Sequence, residues 1–223
     1  MCVILHAQST KDIWKIKHDI KAIWQANPDG AGITYCTHGK VMLVKGLMSL
    51  TSLRKALNNL VPDKTPLSIH FRMATHGSVC APNTHPFDCG HGCTLMHNGI
   101  ISGLGKGGLQ GESDTAHLAR ILKRLCIQDK IDLCGALSGK YLITAPKCTY
   151  LIGPFEEYKG LKLSNTYWKP SAGFVKYDWD SYKRHRPYFN STANHPKQST
   201  LADDDTVNGN GLINSEVGLW NHE

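Results

Sequence analysis

Apolar and polar residues alternate along the chain with two periods, and each period predicts a different kind of element. Four isoleucines between residues 10 and 26 are spaced three and four positions apart, with lysines between them (Ile13, Ile16, Ile20 and Ile23). This spacing predicts one amphipathic helix. Ser9 and Asp12 have the spacing of a capping box at its start, and the NPDG sequence at 27–30 ends it.

The next part of the chain predicts a hairpin, a helix and a strand. Segments 31–36 and 40–46 have the pattern of strands and are joined by the turn sequence THG. A helix is predicted over 49–60 and a strand over 66–72. Residues 73–92 are rich in Gly, Pro, Asn, Thr and His, which is typical of a long ordered loop with a functional role.

The segments that follow mix strands and helices in the same way. A strand over 94–98 and a glycine-rich stretch lead to a helix over 113–125, whose first turn Ser113 can cap. A short helix over 131–137 precedes three further strand candidates, at 141–146, 148–154 and 160–166. Antiparallel-looking strands interspersed with helices predict an α+β fold in which helices cover sheets.

Composition indicates one main domain followed by a polar extension. The chain has 223 residues, of which 41% are hydrophobic and 19% charged, as in ordinary globular proteins. Residues 1–168 carry the predicted elements, and 169–223 form a polar extension with a weakly ordered end. Scattered cysteines, eight in number, are expected to be free thiols. With neither a signal peptide nor a membrane-length apolar run in the sequence, a cytoplasmic protein without membrane contact is expected.

The net charge of +7 adds one candidate partner. Basic residues are grouped along the first predicted helix and again in the extension (Lys11, Lys15, Lys17, Lys21; Lys183, Arg184, Arg186). Such a surface can hold nucleic acid, but a solvated helix face is the more common meaning. Nucleic acid is therefore kept only as a minor candidate.

The first residues, MCVILHA, place a cysteine directly ahead of an apolar strand. A buried strand can use cysteine as a small apolar residue. Alternatively, removal of Met1 leaves Cys2 with a free α-amino group beside its thiol, which is a nucleophile that carries its own base. The position alone leaves both interpretations open.

Three further fragments accompany this cysteine: HFRMATHGSVCAPNTHPF at 70–87, MHNG at 96–99 and ESDT at 112–115. Each lies at a strand end or a helix start, where side chains and backbone donors can converge on a pocket. Together with the initial Met-Cys and with NPDGAG at 27–32, they closely resemble the class II glutamine amidotransferases, the glutaminase domains of the N-terminal nucleophile hydrolase superfamily. The resemblance covers about residues 1–168.

This resemblance implies a fold and a way of activating the cysteine. The fold would be a four-layer αββα sandwich with Cys2 on a strand of the central sheets. The α-amine of mature Cys2 would act as the base, and it needs only a modest shift from its ordinary pKa of about 8. The side-chain amide of Asn98 and the backbone N–H of Gly99 would form the oxyanion hole, although Asn-Gly is also a common turn dipeptide.

The same resemblance assigns the groups that bind glutamine. Arg72 would grip the α-carboxylate with its planar guanidinium, and Asp114 would bind the α-ammonium. Thr75, His76 and Gly77 would line the substrate loop, and His76 is not expected to act as the general base. From the residues alone, an arginine at a strand end can also be a surface residue, and an aspartate at a helix start can complement the helix dipole.

Two other motifs suggest different sites. Histidines and cysteines recur at spacings that suit zinc, but without a CxxC knuckle (His85, Cys89, His91, Cys93, His97). The GLGKGG sequence at 103–108 has the glycines of a phosphate-binding loop but not its GK[ST] ending, so a flexible connection is expected instead. Neither a metal nor another cofactor is predicted.

The predicted activity is hydrolysis of the glutamine side-chain amide through a γ-glutamyl thioester on Cys2. The ammonia would pass to a separate acceptor synthase, because the roughly 55 residues after the glutaminase body are too few for a second catalytic domain. Two alternatives stay open. One is a γ-glutamyl hydrolase that acts on γ-glutamyl peptides, and the other is a non-catalytic binding subunit.

Overall fold

The computed structural model of the chain describes residues 1–60, 66–104 and 111–169. Several predictions lie outside these residues, among them most of the GLGKGG segment, the basic cluster at 183–186 and the polar extension beyond Lys169. The described α-helices are α1 Thr10–Ile13, α2 Asp19–Ala26, α3 Leu50–Asn59, α4 Asp114–Leu122 and α5 Ile127–Ala136. The described strands are β1 Val3–Ala7, β2 Ala31–Thr37, β3 Lys40–Leu47, β4 Leu67–Phe71, β5 Phe87–Asp88, β6 Thr94–Asn98, β7 Lys140–Thr144, β8 Thr149–Ile152, β9 Glu156–Tyr158 and β10 Leu161–Leu163.

The strands form two antiparallel sheets, one of six strands in the order β3-β2-β4-β1-β10-β9 and one of four in the order β5-β6-β7-β8. Strand β1 is internal in the first sheet, where Leu5 lies opposite Ile69 of β4 and Leu163 of β10. Strand β6 is internal in the second sheet, where Asn98 lies opposite Lys140 of β7. The segments that carry Cys2 and Asn98 therefore each have a hydrogen-bonded neighbour on both sides.

Alternate residues of β1 pack into different layers, as the two-residue period of a strand requires. Val3 and Leu5 belong to an apolar core shared with α1, α2 and α3. Ile4 points the other way and packs with Met96 and Leu142 of the second sheet. Helices α4 and α5 cover the outer face of that sheet, over a core that includes Leu118 of α4. The order helix, sheet, sheet, helix confirms the predicted α+β sandwich.

The prediction of one continuous helix after β1 is wrong. The segment forms the single turn of α1, a 3-10 turn over Trp14–Ile16, and then α2. Residues three apart eclipse one another in a 3-10 helix, so this turn keeps both Ile13 and Ile16 in the core. The predicted capping box is incomplete. The Asp12 carboxylate accepts from the backbone of Ser9, but the Ser9 hydroxyl donates to that carboxylate at 2.8 Å and makes no hydrogen bond to the helix backbone.

Other elements differ from their predictions at the ends. Helix α5 begins four residues earlier than predicted, with the Cys126 sulfur accepting a hydrogen bond from the N–H of Asp129 at 3.5 Å. Cysteine is not among the preferred N-cap residues, so the sequence offers no start signal there. The long loop after β4 contains a 3-10 turn over Ala81–Asn83 and the short β5. Strand β9 was not predicted, because its EEY sequence has no strand-like alternation.

Among the described residues, four histidines are buried inside the sandwich: His6, His70, His85 and His97. Nε2 of His70 lies 3.0 Å from the carbonyl oxygen of His97 in the other sheet, and the rings of His70 and His85 stack with centroids 3.8 Å apart. Burial lowers the pKa of His6 and His97 to about 4 and that of His70 to about 3, and it lowers the pKa of His85 well below its ordinary value. All four are therefore neutral at physiological pH. Among the described helices, none has the length and apolarity needed to cross a bilayer.

Candidate active site

The thiol of Cys2 lies against the main chain that follows β4. Its sulfur is 3.3 Å from the nitrogen of Met73, which donates a hydrogen bond to it, and 3.3 Å from the carbonyl oxygen of the same residue. Burial raises the pKa of the Cys2 thiol, and the Met73 N–H opposes that shift. The group is consequently a neutral thiol at pH 7, and a nearby base is needed to make it a nucleophile.

Met1 occupies the place next to this thiol. The terminal ammonium group of Met1 is 2.7 Å from the sulfur of Met73, and Met1 is 60% exposed. While Met1 is present, the nitrogen of Cys2 belongs to a peptide bond and has no basicity. The exposed position of Met1 leaves it open to removal, which would put a free amine on the same Cα as the thiol.

Arg72 organises the loop that begins beside Cys2. Its side chain is buried, and its guanidinium donates hydrogen bonds to the carbonyl oxygens of His76 at 3.0 Å and Ser78 at 2.8 Å. These bonds hold residues 73–78 in a curve over the end of β4. The structure thus places Arg72 inside the site rather than at the surface, with Thr75 exposed and His76 half-buried on the loop.

Gly77 brings this loop into contact with the start of α4. Its φ angle is +72°, and a Cβ atom at this position would lie 2.8 Å from the backbone of Glu112 and Ser113. Asn83 reinforces the contact, because its amide nitrogen donates to the Gly111 carbonyl at 2.7 Å and its oxygen accepts from the N–H of Ser113 at 3.2 Å. Asn83 lies within the quoted fragment at 70–87, but no role was predicted for it from the sequence.

Asp114 is the first residue of α4 and is buried. Oδ2 of Asp114 accepts a hydrogen bond from the N–H of Ile101 at 2.9 Å, and Oδ1 accepts from the N–H of Thr115 at 2.7 Å. The carboxylate therefore ties the segment after Asn98 to the helix. The helix is capped as predicted, with the Ser113 hydroxyl accepting from the N–H of Ala116 at 3.2 Å.

Strand β6 ends at Asn98 and Gly99 directly follows it, and the two residues do not form a simple hairpin turn. The side-chain nitrogen of Asn98 donates to the hydroxyl of Ser164 at 2.8 Å. A Cβ at Gly99 would lie 3.0 Å from the Cα of Gly139 and 2.8 Å from a ring nitrogen of His97. Position 99 has no room for a side chain, so glycine is required by packing.

Two residues that sequence reasoning missed connect Asn98 with Cys2. Asn165 donates from its side-chain nitrogen to the carbonyl oxygen of Cys2 at 2.7 Å, and the preceding residue, Ser164, holds Asn98. Both follow β10, and the pairing of β10 with β1 brings them to the site. No local sequence signal marks that pairing, since the partners are about 160 positions apart.

The residues considered for zinc serve other contacts. His85 stacks on His70, and Cys89 and Cys93 belong to the core beneath α4 and α5. Within residues 1–60, 66–104 and 111–169, no group of three or more His, Cys, Asp or Glu residues is placed to hold a metal ion.

The two packed antiparallel sheets, the helical outer layers and the cysteine directly ahead of an internal strand agree with the sandwich that the resemblance to N-terminal nucleophile hydrolases implies, except that Cys2 precedes β1 instead of lying on it. The fold is similar to that of a solved glutamine phosphoribosylpyrophosphate (PRPP) amidotransferase from B. subtilis complexed with ADP and GMP, with a TM-score of 0.50 and 20% sequence identity over 73% of this chain and 41% of that chain. The likeness agrees with the α+β sandwich described above.

Sequence comparison points to the same class. The chain is 38% identical over 88 residues to glutamine–fructose-6-phosphate aminotransferase (isomerizing) from Pyrococcus horikoshii, and 31% identical over 104 residues to the enzyme of that name from Francisella tularensis. These matches cover 39% and 45% of this chain but only 14% and 17% of the relatives. No protein-family model matches the chain. The resemblance to class II glutamine amidotransferases is confirmed.

Proposed function

We propose that this chain hydrolyses the side-chain amide of glutamine to glutamate and ammonia, with Cys2 as the nucleophile after loss of Met1. The observation that carries the proposal is the position of the Cys2 sulfur, 3.3 Å from the Met73 nitrogen at the head of the loop that Arg72 holds. The resemblance to amidotransferases that use glutamine supports the choice of substrate.

The first half of the reaction forms a thioester. The free α-amine of Cys2 takes the thiol proton, and the sulfur attacks the side-chain carbonyl carbon of glutamine. The negative charge on the carbonyl oxygen is held by N–H groups of Asn98 and Gly99. Collapse of the tetrahedral intermediate breaks the C–N bond, and the protonated amine returns its proton so that the nitrogen leaves as ammonia.

The second half regenerates the enzyme. Water loses a proton to the α-amine and attacks the thioester carbonyl, again with the oxyanion in the same hole. The C–S bond breaks, glutamate leaves, and the thiol of Cys2 regains its proton. The net reaction is glutamine plus water to glutamate plus ammonia, and it needs no further co-reactant.

Substrate selection follows from two buried charged groups. Arg72 would bind the α-carboxylate and Asp114 the α-ammonium, with Thr75, His76 and Gly77 lining the loop between them. Arg72 already donates to two loop carbonyls, so in this proposal it both shapes the loop and contributes positive charge. A separate synthase would accept the ammonia.

The test combines mass and activity. The intact mass of the purified protein gives the fraction that has lost Met1, and ammonia release from glutamine gives the activity. Cys2→Ala and Cys2→Ser are expected to abolish turnover, while Cys148→Ser, which changes an exposed cysteine, is expected to leave it unchanged. A glutamine analogue with an electrophilic side-chain ketone should label Cys2 alone. Full activity in Cys2→Ala, or labelling of another cysteine, would overturn the proposal.

One competing substrate is tested in the same assay. A γ-glutamyl peptide presents the same glutamyl end to Arg72 and Asp114 but has an amine leaving group in place of ammonia. Higher kcat/KM for glutamine than for γ-glutamylglycine is expected. The reverse order would assign the site to γ-glutamyl hydrolysis.

A further inference from the structure

Two residues directly after β10, Ser164 and Asn165, are buried between the strands that carry the proposed nucleophile and the proposed oxyanion donor. Ser164 is 0% exposed and Asn165 is 2% exposed. The reaction proposed above gives neither of them a role. Their hydrogen bonds nevertheless lead directly to Cys2 and Asn98.

Ser164 joins the two sheets through one hydroxyl group. Its backbone N–H donates to the carbonyl oxygen of Ile4 at 2.8 Å. Its hydroxyl oxygen accepts from the N–H of Ile4 at 2.8 Å and from the side-chain nitrogen of Asn98 at 2.8 Å. A hydroxyl has two acceptor lone pairs, and both are used. Asn98 is thereby held at a fixed position relative to β1, the strand that directly follows Cys2.

The bond to Ser164 also sets the direction of the remaining N–H of Asn98. A carboxamide is planar and carries two N–H donors on one nitrogen. Because both N–H bonds lie in the amide plane, an N–H bond that points at the Ser164 oxygen also fixes the direction of the second N–H bond. Oδ1 of Asn98 is buried and has no hydrogen-bond partner among the described residues. Within the described part of the chain, the hydroxyl of Ser164 is therefore the hydrogen-bond partner that holds this side-chain amide.

Asn165 holds the nucleophile itself. Its side-chain nitrogen donates to the carbonyl oxygen of Cys2 at 2.7 Å, and its side-chain oxygen accepts from the N–H of Tyr167 at 3.3 Å. The amine, the thiol-bearing Cβ and the carbonyl are three substituents of one Cα. Fixing the carbonyl therefore restricts the directions in which the amine and the thiol can point.

We infer that Ser164 and Asn165 are positioning residues, Ser164 for the oxyanion-stabilising amide of Asn98 and Asn165 for the nucleophile Cys2. The inference rests on the proposed function, because it assigns the two residues to the same reaction. It predicts different kinetic signatures for the two positions.

Ser164→Ala is expected to lower kcat for glutamine by about 10- to 100-fold with little change in KM, since the donor it directs acts mainly on the transition state. Alkylation of Cys2 by iodoacetamide forms no tetrahedral oxyanion, so its rate should equal that of the wild type. Asn165→Ala is expected to slow both reactions several-fold. Ser68→Ala removes another buried hydroxyl, one bonded to His6, and serves as the matched control with unchanged kcat.

A double variant separates positioning from general damage. If Ser164 acts through Asn98, then Asn98→Ala with Ser164→Ala has the same kcat as Asn98→Ala alone, because no amide remains to be directed. If kcat of the double variant instead falls by the product of the two single-variant factors, the inference is wrong. The inference is also wrong if Ser164→Ala lowers kcat and the alkylation rate of Cys2 by the same factor.

A readout that does not depend on turnover distinguishes failure of this inference from failure of the proposed function. In ¹⁵N-labelled protein, one side-chain amide proton of Asn98 should exchange slowly with solvent, and Ser164→Ala but not Ser68→Ala should speed that exchange. Slow exchange in a protein that does not hydrolyse glutamine would reject the proposed function and, with it, the kinetic role assigned here. Active protein with the same exchange rate in Ser164→Ala would reject the inference and keep the function.

Discussion

The thiol of Cys2 has a reactivity set by the backbone around it. Burial raises its pKa and the Met73 N–H lowers it, with burial the larger effect. A raised pKa means less thiolate at a given pH, and therefore slower reaction with electrophiles near neutrality. The unmasked amine would change this balance, because it can take the proton within the same residue.

Molecules that retain Met1 are expected to alkylate slowly at Cys2. With iodoacetamide at pH 7, Cys2 in this fraction should react more slowly than exposed Cys148, and its rate should rise with pH to a midpoint above the ordinary thiol value of about 8.5. In the fraction without Met1, Cys2 should react faster at pH 7. Peptide mass mapping after timed quenching measures both fractions in one sample. Equal rates in the two fractions would remove the amine from the mechanism.

The residues of the site could be predicted only where a motif carries them. Arg72, Asn98 and Asp114 lie in fragments that resemble a known family. In the structure, Arg72 precedes the residue whose N–H donates to Cys2, and Asp114 binds the segment that follows Asn98. Their catalytic and binding roles remain predictions. Ser164 and Asn165 stand in no such fragment, and their contacts depend on a strand pairing that local sequence does not encode.

At the scale of elements, the loop over 73–78 and the helix α4 form one unit. Arg72 curves the loop, and the contact of Gly77 with Glu112 seats it on the helix that Asp114 begins. Displacement of the loop would therefore move the two charged groups assigned to glutamine binding relative to each other.

Gly77→Ala is expected to lower stability and weaken glutamine binding. Both Gly77, with φ +72°, and Gly39, with φ +73°, adopt a left-handed backbone, but no described atom lies within 4 Å of a Cβ at Gly39. Alanine costs about 1–2 kcal/mol for the conformation at either position, and at Gly77 the clash adds roughly 1–3 kcal/mol. Denaturant unfolding measures the free energy of unfolding of each variant. Steady-state kinetics measure its KM for glutamine. A raised KM in Gly39→Ala, or an unchanged KM in Gly77→Ala, would contradict the role of the contact between Gly77 and Glu112.

The start of a helix could be predicted where its N-cap is one of the commonly preferred residues. Ser49 begins α3 with a reciprocal capping box to Ser52, and Ser113 begins α4 as expected. The first helix is broken because the Ile13 to Ile16 step fits a 3-10 turn as well as an α-helix. The start of α5 at Cys126 has no recognisable signal, so that helix is longer than its sequence suggested.

At the scale of the whole molecule, the sandwich encloses four neutral histidines. In an unfolded chain each would titrate near 6.5, whereas burial lowers the folded-state pKa of His6 and His97 to about 4 and of His70 to about 3. Between these values the unfolded state binds more protons than the folded state. The free energy of unfolding therefore falls as pH falls below about 6.5.

Acid is accordingly expected to destabilise the protein steeply. Each buried histidine contributes a slope of up to about 1.4 kcal/mol per pH unit. Denaturant unfolding at pH 7.0, 6.0 and 5.0 should show a falling free energy of unfolding, and His70→Gln should flatten the slope. Gly39→Ala, which lowers stability without removing a histidine, should keep the wild-type slope. A free energy that is constant between pH 7.0 and 5.0 would show that these histidines take up protons equally in the folded and unfolded states, against the lowered pKa values.

The position of β10 beside β1 has a consequence for the order of events in the life of the chain. The hydrogen bonds from Ile4 to Ser164 and from Asn165 to Cys2 join residues 160 and 163 positions apart, and contacts of such high sequence separation form slowly. During synthesis from the N-terminus, Met1 and Cys2 leave the ribosome long before β10 exists. Processing enzymes can thus reach the first peptide bond while β1 still lacks one of its neighbours. The nucleophile would be unmasked early, and the hydrogen bonds of Ser164 and Asn165 that hold it and Asn98 would form only after β10 is made.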